Sequence, residues 1–174
     1  LASGNYFVMT LHRPANVDSP ASFATLLAAV AEATRGLPVV FPAHPRTLKT
    51  LARIGPVAPH LLVVEAQPYL EFNFLVANAK AVITDSGGVT EETTVLGVPC
   101  VTLRDTTERP ETVTIGTNEL IGTDPSRLKP ALDRLFAGAW KTGGIPELWD
   151  GRTGRGADAL ASVCAWLNIA DLLA

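Results

Sequence analysis

Thr84-Asp85-Ser86-Gly87-Gly88-Val89-Thr90-Glu91-Glu92 joins a short β-branched run, Lys80-Ala81-Val82-Ile83, to a stretch with helical spacing through Val89, Val95 and Leu96 that closes at Gly97. A strand feeding a helix through Ser-Gly-Gly is a place where an anion can bind. Gly87 and Gly88 carry no Cβ, so the chain can turn sharply there and a ligand can approach the backbone. Ser86 stands where a hydroxyl caps the first free N–H groups, and those groups point the same way as the positive end of the helix dipole. Glu92 follows Gly88 by four residues and lies one turn further along the same face. A carboxylate there is too far in to oppose a phosphate at the turn. It is close enough to accept from a sugar hydroxyl, as acidic residues do for ribose in dinucleotide folds. A capped helix with two solvated glutamates would use the same residues. Asp-Ser-Gly-Gly also surrounds the nucleophile of trypsin-like proteases, but those are all-β proteins with a separate His and Asp, and this serine opens a helix after a strand.

Three more polar clusters follow apolar runs in the same way: His12-Arg13, His44-Pro45-Arg46, and Arg104 through Arg109. Singly each has a structural reading. Arg46 can cap its helix or pair with Glu65, and His44 can be a hydrogen-bonded loop residue. Gathered at one rim, they would place cations around the Ser-Gly-Gly turn.

The elements that must gather them are legible in the apolar pattern. Strands are expected over 5–11, 37–41, 61–65, 80–83, 99–103 and 119–121. Ser19-Pro20 opens a helix, with a capping hydroxyl and a proline in the first turn, that runs through Phe23, Leu26, Leu27 and Val30 to Gly36. Further helices are expected through Leu48, Leu51 and Ile54, through Tyr69 to Val76, and beyond Asp124-Pro125 through Leu128, Leu132, Leu135 and Phe136. Pro130 should kink or restart the last of these. A glycine-rich loop over 138–156 and a final helix over 157–167 complete the chain. Strand and helix alternating throughout predicts an α/β fold, a Rossmann-like doubly wound parallel sheet, whose ligands bind outside the carboxyl ends of the strands.

The 174 residues suit one domain, and an apolar fraction of 47% is ample for a single core. A net charge of −3 supplies no electrostatic case for nucleic acid or an acidic membrane surface, so any phosphate binding must be local. No stretch of the sequence suits a membrane span or a signal peptide, and a soluble cytoplasmic protein is the default expectation. Cys100 and Cys164 have no paired spacing and read as buried thiols. His12, His44 and His60 lack metal-ligand spacing, so no metal site is expected. The chain opens at Leu1 and enters a strand almost at once, the pattern of a piece cut from a longer protein.

His12-Arg13-Pro14-Ala15-Asn16-Val17-Asp18, His44-Pro45-Arg46-Thr47, Thr84-Asp85-Ser86-Gly87-Gly88 with Glu91-Glu92, and above all Arg104-Asp105-Thr106-Thr107-Glu108-Arg109-Pro110-Glu111 resemble the non-hydrolysing UDP-N-acetylglucosamine 2-epimerases. The resemblance runs in order from Tyr6 to Asp124, and Trp149-Asp150-Gly151 with its following helix resembles the family's ending. It implies that residues 1–174 form the carboxyl-terminal half of a two-domain GT-B-type fold, with UDP or UDP-N-acetylglucosamine held between the halves and a homodimer when intact. By motif, Ser86, Gly87 and Gly88 would hold the diphosphate and Glu92 the ribose, with Arg13 also at the nucleotide. Phe72 would lie against the uracil, or else serve as a core aromatic of its helix. His12 and Arg109 would approach the diphosphate and sugar and balance charge as UDP leaves.

Family members epimerise C2 by eliminating UDP and re-adding it, a route that needs no redox cofactor or metal. The acid and base carboxylates would come from the amino-terminal half. Two positions depart from the family pattern: Ala15 stands where many members have a glutamate linked to a second, regulatory nucleotide-sugar site, and Thr90 replaces a commoner glutamine. Other functions compatible with the residues are a glycosyltransferase of the same architecture, a hydrolysing epimerase, and a non-catalytic nucleotide-binding module.

Overall fold

The computed structural model describes residues 1–147 and Trp149. Six parallel strands form one sheet in the order β3-β2-β1-β4-β5-β6: β1 (Phe7–Thr10), β2 (Val39–Ala43), β3 (Leu61–Glu65), β4 (Ala81–Thr84), β5 (Cys100–Thr102) and β6 (Asn118–Leu120). The order reverses between β1 and β4, which pair in register from Phe7 with Ala81 to Thr10 with Thr84. A crevice therefore opens at the carboxyl ends of these two strands, where the connections leave to opposite sides.

Side chains alternate across the sheet with period two, and the two faces collect different cores. Phe7, Met9, Val39, Phe41, Ala81, Ile83, Val101 and Leu103 point into the larger layer, with α2 (Pro20–Ala33) and α7 (Leu128–Phe136) packed over them and α3 (Pro45–Ile54) at its margin. Val8, Val40, Val82 and Cys100 point the other way, toward α4 (Tyr69–Ala77) and α5 (Gly87–Leu96). Burial on both faces explains why the central strands read as unbroken apolar runs. Phe7, Phe23 and Phe41 are fully buried, each contributing about 1.5–3 kcal/mol of transfer free energy. Burial also pushes the Cys100 thiol up to about 11, which suits the expected inert role. Cys164 and the final helix lie outside the described residues.

Several expectations need correction or refinement. The helical stretch beyond Asp124 begins as a 3-10 turn at Pro125–Arg127 and continues as α7 from Leu128, so Pro130 sits in the first turn of α7, where a missing N–H breaks no bond. The sixth strand is shifted by one residue, to Asn118–Leu120. Two short helices, α1 (Pro14–Val17) and α6 (Pro110–Thr114), each open on a proline inside segments read as loop; neither is long enough to show apolar periodicity. Gly97 adopts the left-handed conformation expected of it, at φ 69°.

Gly116 lets the chain before β6 press against α5 and α6. A Cβ there would lie 2.5 Å from Thr94 Oγ1 and 2.6 Å from the Thr112 carbonyl oxygen. Gly116→Ala should cost about 1–3 kcal/mol through overpacking. The measurement is the urea midpoint, expected to fall; a midpoint equal to that of the parent chain would contradict this packing.

Candidate functional site

At the switch point the ends of β1, β4 and β5 are tied together by one buried carboxylate. Asp85 follows β4 directly and its side chain has no solvent exposure. Its Oδ2 accepts from the Arg13 N–H at 2.9 Å and from Asn16 Nδ2 at 3.0 Å. The His12 N–H lies 3.2 Å from both carboxylate oxygens, and His12 Nδ1 lies 2.9 Å from Oδ1. Asn16 also donates to the Leu103 carbonyl at 3.3 Å, reaching the end of β5. The Asp85 backbone is held too, since Arg13 Nε donates to its carbonyl at 3.0 Å. The loop after β1 is thus folded around a charge that belongs to β4.

The same strand end prepares the glycine turn. Thr84 Oγ1 accepts from the Ser86 N–H at 3.0 Å and shares a hydrogen with Thr10 Oγ1 at 2.7 Å. Ser86 is the N-cap residue of α5, but its hydroxyl accepts no capping bond. The expected serine cap is therefore absent. Thr90 does not fill that role, because its hydroxyl donates to the Gly87 carbonyl at 2.6 Å. Among the described residues no acceptor is bonded to the N–H groups of Gly87, Gly88 or Val89. Three amides at a helix start, with Gly88 exposed, are the donors an anion needs.

A cleft of about 420 Å³ opens beside this point, lined by His12, Pro42, His44, Arg46, Gln67 and Phe72 among others. Its size suits a nucleoside. Phe72 is half-buried against the smaller core, as its reading as a core aromatic expects, and it also lines this cleft. Glu92 accepts from the Tyr69 hydroxyl at 2.8 Å, which raises the phenol's affinity for its proton through that hydrogen bond and the nearby charge. His44 acts partly as a cap, its Nδ1 accepting the Arg46 N–H at 3.3 Å.

The cations do converge on this rim, though each comes with an anion. Arg46 pairs with Asp18 at 2.6 Å rather than with Glu65, because the loop after β1 delivers Asp18 to the start of α3 while Glu65 lies on edge strand β3. Arg109 pairs with Glu91 across α5. Arg104, buried to 7% exposure, makes a two-pronged bond to Glu108 at 2.7 and 2.6 Å. This pair lies over the glycine turn, within 4 Å of where a Gly87 Cβ would stand. Arg13 is 3.8 Å from the same carboxylate. Among the described residues the donors left without a partner at this turn are therefore the amides. Exposed ion pairs are worth about 0.2–1 kcal/mol, so Arg109 and Arg13 can change partners at little cost.

Asp85, Asn16, Thr84 and Tyr69 were not among the residues singled out for chemistry from the sequence. Asp85 had one local signal, a carboxylate directly after the short buried strand Ala81–Thr84. Its partners lie 69 to 73 residues away in the chain, where no spacing reveals them.

Arg104 hydrogen bonding holds the Glu108 carboxyl down at about 2. The folded value is lowered, so the pair's contribution is complete above the ordinary glutamate value near ~4.3 and is lost as pH falls through about 2. Carbon-13 NMR of the Glu108 carboxyl should give that low midpoint, and Arg104→Met should return it to the ordinary range. An ordinary midpoint in the parent chain would contradict the pairing.

Residues 1–156 match the family model described as UDP-N-acetylglucosamine 2-epimerase. A UDP-N-acetylglucosamine 2-epimerase of Methanococcus maripaludis is 40% identical over 138 residues, covering 75% of this chain and 38% of that protein. The UDP-2,3-diacetamido-2,3-dideoxy-D-glucuronate 2-epimerase of Pseudomonas aeruginosa is 42% identical over 124 residues, covering 70% of this chain and 35% of that protein. The crystal structure of the Methanocaldococcus jannaschii UDP-GlcNAc 2-epimerase in complex with UDP-GlcNAc and UDP superposes with a TM-score of 0.74 at 33% identity, over 92% of this chain and 45% of that one. The chain thus spans less than half the length of these relatives, and its sheet is one Rossmann-like half of a GT-B-type fold. Its motifs, topology and sequence agree: the chain belongs to the UDP-N-acetylglucosamine 2-epimerase family.

Proposed function

We propose that this chain is the carboxyl-terminal, UDP-holding half of an enzyme that interconverts UDP-N-acetylglucosamine and its 2-epimer. The observation that carries the reading is the trio of unpaired amides at Gly87, Gly88 and Val89, set at the switch point beside a nucleoside-sized cleft. In this reading the diphosphate lies on the amides, the uracil against Phe72 and the ribose hydroxyls at Glu92. The Tyr69 hydroxyl then yields its hold on Glu92 or shares it with the ribose.

The reaction begins when a base removes the C2 proton of the sugar. The electron pair forms a C1–C2 double bond, the C1–O bond breaks, and UDP departs with that bond's electrons. Addition of UDP to C1 and of a proton to the opposite face of C2 completes the inversion. Charge grows on the bridging oxygen in the transition state, and donors already in place stabilise it without reorganising. Here those donors are the α5 amides, with Arg109 and Arg13 exchanging a carboxylate partner for phosphate. In this reading His12, which lines the cleft, balances the leaving charge. The proton steps at C2 require a carboxylate acid and base, which we assign to an amino-terminal domain across the cleft. This half reads the nucleotide rather than the sugar, in keeping with a relative named for a different amino sugar.

Gly88 separates binding from folding. A Cβ at this position meets nothing within 4 Å, and replacing a helical glycine by alanine stabilises slightly. Gly88→Ala should leave the thermal midpoint equal or higher while weakening UDP binding by calorimetry at least tenfold. Unchanged affinity would contradict the amide site. The chain alone should bind UDP yet form no epimer when UDP-N-acetylglucosamine is followed by proton NMR; turnover would show that no second domain is needed.

A further inference from the structure

We infer that Asp85 is a positioning residue that fixes the tautomer of His12, so that the ring meets the cleft through Nε2 alone. The two carboxylate oxygens have different duties. Oδ2 receives Arg13 N–H at 2.9 Å and Asn16 Nδ2 at 3.0 Å, both obligatory donors. Oδ1 faces His12 Nδ1 at 2.9 Å. A carboxylate has no hydrogen to offer, so Nδ1 must carry the proton. Nε2, on the opposite edge of a side chain that is 52% exposed and lines the cleft, is left as the atom that can give or take a proton.

The geometry also keeps the ring in place. The His12 N–H is 3.2 Å from each carboxylate oxygen and the ring Nδ1 is 2.9 Å from Oδ1, so backbone and ring of one residue meet the same group. Thr84 and Ser86 lie on either side of Asp85, and the first of them holds the glycine turn. Any ligand seated on the α5 amides is therefore registered against His12 Nε2 through a single rigid connection. The orientation of the ring stands without any ligand, and its use on a departing diphosphate rests on the UDP reading above.

Asp85→Asn tests the inference because a carboxamide has one acceptor. Its oxygen belongs on the Oδ2 side, where the Arg13 and Asn16 donors converge, which turns the NH2 group toward His12 Nδ1. Nδ1 can then only accept, and the proton must move to Nε2. Long-range proton–nitrogen NMR of the ligand-free chain, with His12→Ala to assign the signals, should show Nδ1 protonated in the parent chain. In Asp85→Asn the proton should sit on Nε2. Should Asp85→Asn fail to fold, the parent spectrum decides alone: Nδ1–H supports the inference, and Nε2–H with bare Nδ1 overturns it. A folded Asp85→Asn chain that keeps Nδ1–H also overturns it. No UDP is present in these measurements, so failure of the UDP reading, seen by calorimetry, is separate from failure here.

Discussion

A carboxylate removed from water must be repaid in hydrogen bonds, and the way Asp85 is repaid organises this protein. An uncompensated buried charge costs several kcal/mol, and removing one partner of such a group is correspondingly destabilising. Asp85 draws two backbone N–H groups, the Asn16 amide and the His12 ring into one cluster. The loop after β1 has no freedom to lie elsewhere. The crevice that every doubly wound sheet has at its switch point is thereby given a definite wall that carries His12.

The second feature of the site is a division between fixed and exchangeable charge. The amides and the helix dipole cannot be neutralised by movement, and here they have no partner among the described residues. The arginines are different. Each is already held by Asp18, Glu91 or Glu108. A net charge of −3 is consistent with this arrangement, because the rim does not present an open cationic field. The donors fixed at this turn and left without a partner are therefore the amides, while the charged side chains around them are already engaged.

Much of the fold was legible because the signals were local. Unbroken apolar runs marked strands buried on both faces, Ser19-Pro20 marked a helix start, and Gly97 marked a left-handed stop. Alternation of strand and helix then left few topologies. What could not be read were the side-chain partnerships across the sheet. Arg46 with Asp18, Tyr69 with Glu92 and Asp85 with the His12 loop join residues 23 to 73 positions apart, and their sequence neighbours are unremarkable. Nor could the absence of the serine cap be read; at that turn the Thr84 hydroxyl, bonded to Thr10 on the neighbouring strand, accepts the Ser86 N–H. Residue types located the site, and long-range bonds determined how it is held.

If the backbone at the start of α5 holds the diphosphate, amide NMR of the chain titrated with UDP will show it. The N–H signals of Gly87, Gly88 and Val89 should move furthest and downfield, as amides do on gaining a charged acceptor, with His12 and Phe72 following. Shifts confined to other surfaces, or none at these three amides at saturation, would contradict it.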